Sequence, residues 1–344
     1  MVISQRNSNI ELLRIVSMVF VMVVHASFLS LSSPSKESIV ESTNSAFLRC
    51  FCESFSIVCV NSFILISGWF GIHLKILRLL ELFFQIFFFA ILVPIALYAF
   101  NLPVSESIDN YSKSICYCDE LWFIRAYLIL LLFSPLLNVF VEHSDKHQLQ
   151  CFLVVFFVVQ TLMGHKLEWF SRGYSPMSFM GIYLLARYIR LYPSKITLLS
   201  KSKDLLIYLS FVLLLTLSAM CVIYTRIIDI ETLYAYSSPL VIICSVFFFL
   251  FFSKLSFNSR FVNWIAISAF SIYLVHCNPL FLSPIYITYI REWYSFEIWH
   301  FLFYALFFMF LIAVFSILFD KFRLLLWNLF FLKMKRWYDG TIFI

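Results

Sequence analysis

The sequence predicts an all-α, polytopic membrane helix bundle of about ten transmembrane helices, and three observations predict it. The 344-residue chain is 62% hydrophobic and only 13% charged, about half the ~25% of an ordinary soluble domain. Its apolar residues fall in runs near the ~20 residues needed to cross hydrocarbon. No polar stretch between the runs is long enough for a soluble domain, so residues 1–344 read as a single integral membrane domain. In lipid such runs satisfy their backbone as helices, because barrel strands are shorter and alternate in polarity.

The first segment, Leu12–Leu31, is apolar except for Arg14, His25 and a few hydroxyls. The second, Ala46–Ile72, carries Asn61 and Ser67, polar sites that helix-to-helix hydrogen bonds explain as well as catalysis does. Lys75 and Arg78 open the third, Ile76–Phe100, and Glu81, about one turn deeper, is expected to pair with one of them. The fourth, Leu121–Val141, follows the acidic stretch Asn101–Glu120 and begins Leu121-Trp122-Phe123, with Arg125 a turn in. Leu149–Met163 and Met177–Leu191 are short, as is the eighth segment, Leu240–Leu255. Leu205–Tyr224 is seventh; Phe261–Leu282 is ninth, its helix end marked by His276, Asn278 and Pro279; Ile298–Phe319 is tenth. With six glycines, no G-x-x-x-G and 43 phenylalanines, bulky interdigitation is expected in place of small-residue crossings.

Charge sets the expected orientation. With the amino terminus inside, the inner loops hold clusters such as Lys195, Lys201 and Lys203, and Lys333, Lys335 and Arg336. The outer loops hold only scattered cations, among them Lys36, Arg49 and Arg172. The positive-inside rule thus puts both termini in the cytoplasm and agrees with an even number of helices. The terminal Lys/Arg cluster suits anionic lipid headgroups, and nothing points to nucleic acid. The nine cysteines show no zinc-like spacing, and no metal site is expected. Cys50, Cys52, Cys116 and Cys118 lie toward the outside, where a disulfide is conceivable, although unpaired cysteines acting as small apolar residues are the favoured reading.

The first segment carries the chemistry. Arg14 and His25 are eleven residues apart, ~20° past three full helical turns and ~16 Å along the axis. Ionisable groups within a membrane helix are costly and usually face a bundle interior or a wet cavity. Histidine is the side chain best suited to general-base work near neutral pH. The pair therefore offers a cation near one mouth and a base deep inside.

The stretch Asn9-Ile10-Glu11-Leu12-Leu13-Arg14 through His25 resembles the Arg-x10-His first helix of the acyltransferase 3 family of integral membrane O-acyltransferases. Ser67-Gly68-Trp69-Phe70 resembles the family's second helix end. Leu121-Trp122-Phe123-Ile124-Arg125-Ala126-Tyr127, followed by Ser134-Pro135-Leu136-Leu137-Asn138, resembles the tryptophan-bearing helix of its polysaccharide-modifying members. Ser271-Ile272-Tyr273-Leu274-Val275-His276 resembles its late Tyr-Leu-x-His segment. Ser271 and Ala186 depart from the pattern, standing where glycine is expected.

The resemblance implies acyl transfer, most often of acetyl from acetyl-CoA, to a hydroxyl of a cell-surface glycan or its lipid-linked precursor in a bacterial cytoplasmic membrane. His25 would be the base, with a transient acyl-histidine as the competing route. Arg14 would clamp the donor or shape the cavity mouth, and Lys75 and Arg78 would meet the CoA phosphates. Trp122, Arg125, Tyr127, Ser67 and His276 are the candidate acceptor contacts; for Arg125 a salt bridge with Asp119, Glu120 or Glu53 is the structural alternative. A transporter or flippase of glycans or small solutes is the alternative function; it would scatter polar groups over more helices than are seen here.

Overall fold

The computed structural model describes residues 7–103, 111, 121–164 and 167–341, and of 331–341 the backbone. No strand occurs among the described residues. The principal helices are α1 (Ser8–Val24), α2 (Thr43–Ser56), α3 (Cys59–Phe70), α4 (Ile76–Ala99), α5 (Trp122–His143), α6 (Lys146–Met163) and α7 (Pro176–Leu191). They are followed by α8 (Lys201–Thr225), α9 (Pro239–Ser253), α10 (Arg260–Ala266), α11 (Ala269–His276), α12 (Thr288–Trp293) and α13 (Ile298–Thr341). The protein is an all-α, multi-pass membrane protein. All ten apolar segments are helical, but among the described residues seven helices qualify by length and composition as candidate spans, or up to eight if the ninth segment counts. That ninth segment is bent by 61° between Arg260–His276 and Pro279–Trp293. Helices α7 and α9 have only 16 and 15 residues, short of the ~20 that a perpendicular crossing needs.

The helices gather into two compact units, residues 1–74 with 121–266 and residues 75–120 with 267–344. In the first, α1, the helix bearing Arg14 and His25, packs against α2, α3, α9 and α10. Its entry is tied down: Asn9 donates to the Phe252 and Ser253 carbonyls, both at 3.1 Å, and the Ser259 amide donates to Ser8 Oγ at 2.9 Å. Phe20 fills the space between Phe55 and Phe248, at 5.2 and 5.5 Å between ring centroids. Such aromatic interdigitation matches the packing the composition predicts.

One crossing departs from it. Helix α3 meets α7 at Gly68, where an added Cβ would lie 2.4 Å from the Tyr183 carbonyl oxygen and 2.7 Å from the Ala186 methyl. Small residues on two different helices make this contact, which a G-x-x-x-G search along one helix does not detect.

In the second unit α11 packs against α4 and α13. Ser271, where glycine is expected, donates to the Ser268 and Ser316 carbonyls at 2.6 and 2.9 Å, the second bond bridging α11 to α13. The last helix does not stop at Phe319 but runs on through Asp320 and Arg323, which are 0% and 2% exposed.

Candidate active site

Helix α1 is regular from Ser8 to Val24, which preserves the shared face of Arg14 and His25. At His25 the ladder widens into a π turn, His25–Leu29, and Ser27 leaves helical geometry at φ −86°, ψ −108°. The released groups find partners. The Phe28 amide donates to Glu53 Oε2 at 3.3 Å, the Ser27 side chain bonds the same carboxylate, and the Ser30 hydroxyl donates to the His25 carbonyl at 2.6 Å. Arg49, one turn before Glu53 on α2, donates to the Leu31 carbonyl at 2.9 Å and to that of Ser32. Glu53 is only 4% exposed. Helix α2 thus holds the irregular turn that begins at the half-buried His25, and π turns of this kind are frequent at functional sites. Arg14 Nε lies 4.0 Å from Glu11 Oε2, and the Arg14 side chain remains 41% exposed.

Other candidates meet in the same unit. Ser67 donates to the Phe63 carbonyl at 2.9 Å and its oxygen lies 3.3 Å from the Tyr127 hydroxyl, so two of the sequence-derived acceptor contacts touch. Trp122 packs into an aromatic group, with its ring 4.5 Å from Tyr174 and 5.9 Å from Tyr236. Asn61 anchors that group by donating to the Tyr236 carbonyl at 3.0 Å. Tyr234, edge-on to Phe28 at 5.4 Å, carries the contact back to the His25 turn. Burial holds the Tyr234 and Tyr236 phenols well above their ordinary range, so they stay neutral. Arg125 is exposed at the start of α5, while Glu53 is engaged with the Ser27–Phe28 turn. Asp119 and Glu120, its other expected partners, lie outside the described residues, as do Cys116 and Cys118; Cys50 and Cys52 are free thiols.

The second unit holds the rest. Lys75 and Arg78, at the start of α4, are both exposed. His276 is fully buried; its Nδ1 lies 2.6 Å from the Ile272 carbonyl oxygen, which puts the proton on Nδ1, and its Nε2 is 3.3 Å from Cys277 Sγ. The pairing expected for Glu81 is corrected. Its Oε1 lies 3.6 Å from Arg323 Nη1, because a guanidinium buried on α13 needs countercharge, whereas Lys75 and Arg78 are exposed. Arg323 also bonds Asp320 at 2.8 Å, and Gln85 donates to the same carboxylate at 2.8 Å. Sequence reading missed this network by ending the segment at its first charges. It also missed Glu53 as the support of the His25 turn; the only signal was a lone carboxylate in the second apolar segment.

These features define an integral membrane protein of helical bundle type whose first helix presents an arginine and a histidine along one face. Residues 7–321 match the family model of the Acyltransferase domain, the acyltransferase 3 family, and the chain belongs to that family: it is a membrane acyltransferase. No curated protein and no solved structure matches it.

Proposed function

We propose that this enzyme moves an acetyl group from acetyl-CoA to a hydroxyl of a surface glycan, or of its lipid-linked precursor, in a bacterial cytoplasmic membrane. The observation that carries the reading is His25 at the first residue of a π turn, on a helix packed against α2, α3, α9 and α10, in a chain of the acyltransferase 3 family. Acyl transfer to an alcohol needs a base as the tetrahedral centre forms. His25 takes the acceptor hydroxyl proton while that oxygen bonds to the thioester carbonyl carbon. As the C–S bond breaks, the imidazolium returns the proton to the departing thiolate. Arg14, ~16 Å along the axis, serves the donor side on the orientation set by the positive-inside rule. On the acceptor side, Trp122, Tyr127 and Ser67 supply a ring face and hydroxyls for a sugar, with Arg125 at the helix start.

The test is purified protein in nanodiscs with labelled acetyl-CoA and cell-envelope glycan. Label transfer accompanied by CoA release is the expected result; transport of glycan without release of CoA would reject it.

A further inference from the structure

We infer that Arg187 and Arg190, at the end of α7, form the anion site that takes the phosphates of the acyl donor. The inference rests on the donor reading above and names where in the first unit that donor is held. Arg187 Nε is buried without a hydrogen-bond partner, and among the described residues no Asp or Glu pairs with either arginine. A buried N–H left unsatisfied in a folded protein calls for an explanation, and a donor that serves an anionic ligand is one.

The surroundings hold both guanidiniums in place. Arg190 lies over the Trp69 ring, 4.7 Å from its centroid, and Trp69 is wedged edge-on against Phe249 at 5.2 Å. Arg187 lies over Gly71, where a Cβ would stand 3.3 Å from Nη1; φ of +75° at that residue favours glycine as well. The chain after Gly71 is fixed on both sides. The Ile72 amide donates to the Tyr183 hydroxyl at 3.0 Å, that hydroxyl donates to Asn138 Oδ1 at 2.6 Å, and Asn138 Nδ2 donates to the Ile72 carbonyl at 2.8 Å.

Two arginines three residues apart share a helix face with ~5–6 Å between their Cβ atoms, a spacing that suits the neighbouring phosphates of a diphosphate. Arginine forks bind phosphate bidentately, and stacking leaves their N–H edges available. Lys75 and Arg78, which the sequence suggests for this task, are both exposed at a helix start, whereas Arg187 has its Nε buried and Arg190, though exposed, is stacked on Trp69. On the charge-based orientation α7 ends on the cytoplasmic side, where a CoA thioester is found. An anionic lipid headgroup presents the same phosphate chemistry, so the experiment must separate the two.

Binding of CoA to protein in nanodiscs of phosphatidylcholine alone is measured for wild type, R187Q/R190Q, R190Q and R187K/R190K. K201Q/K203Q, which removes two exposed lysines from the same side, is the charge control. Losing charged hydrogen bonds of ~1.5–3 kcal/mol should weaken CoA binding about 10–100-fold in R187Q/R190Q. A smaller loss is expected in R187K/R190K, none in K201Q/K203Q, and inorganic pyrophosphate should compete in wild type alone. In turnover the KM for acetyl-CoA should rise with kcat within about threefold. If R187Q/R190Q does not fold, exposed R190Q carries the test with a tenfold weakening. Wild-type affinity for CoA in the arginine variants would overturn the inference. So would loss of co-purified anionic phospholipid, seen by native mass spectrometry, with CoA binding intact. Wild type that binds no CoA at all would instead reject the donor assignment.

Discussion

Glu53 and Asp320 are both carboxylates buried within apolar helices, and they are held in different ways. Asp320, 0% exposed, is bonded to Arg323 and Gln85 on the uninterrupted helices α13 and α4. Glu53, 4% exposed, accepts a backbone amide and a hydroxyl from a helix that has lost its regular ladder just after His25. The first arrangement joins regular helices through ions. The second stabilises an irregular backbone beside a titratable side chain, and strained or irregular backbone held by its surroundings is characteristic of reactive sites. Burial of charge alone therefore does not mark function; what the charge supports does.

The comparison can be broken at several points. Asp320→Ala leaves the Arg323 guanidinium buried and short of countercharge, which should cost about 3–5 kcal/mol of stability, measured as lost thermal resistance in detergent. The paired change Asp320→Leu with Arg323→Met should recover most of that loss; failure to recover would give the ion pair more than a joining role. Glu53→Gln keeps the shape of the side chain but weakens its acceptance from Phe28 and Ser27. Acyl transfer should fall about 10–100-fold, reading a charged hydrogen bond at ~1.5–3 kcal/mol, with a far smaller change in thermal resistance than Asp320→Ala. Equal losses of stability in the two variants would erase the distinction. Smallest is Tyr183→Phe, which removes the hydroxyl shared by Ile72 and Asn138 and should cost about 1–3 kcal/mol, seen as a modest fall in melting temperature.

Hydropathy made the helical segments legible, since each apolar run is long enough to be seen without knowing its neighbours. The Arg14–His25 register was equally legible, because α1 is regular up to His25 and the spacing depends on helical geometry alone. Tertiary partners decided the rest. Nothing in Ala26-Ser27-Phe28 signals a break, as there is neither Pro nor Gly; the break is stable because Glu53, 25 residues on, accepts the freed amide. The extension of α13 past Phe319 escaped for the opposite reason. Asp320 and Arg323 resemble a loop in sequence and become tolerable inside a helix by bonding each other and, across to α4, Gln85 and Glu81. Short α7 is a helix whose length says little, but whose closeness to α3 depends on Gly68 facing Ala186.

The central claim is that His25 is the base of acyl transfer. It is tested most directly by comparing His25→Ala with wild type in nanodiscs, following CoA release from acetyl-CoA in the presence of acceptor. Loss of a general base predicts a fall of about 10²–10⁴-fold in turnover with CoA binding retained; a variant that turns over at the wild-type rate would contradict the account.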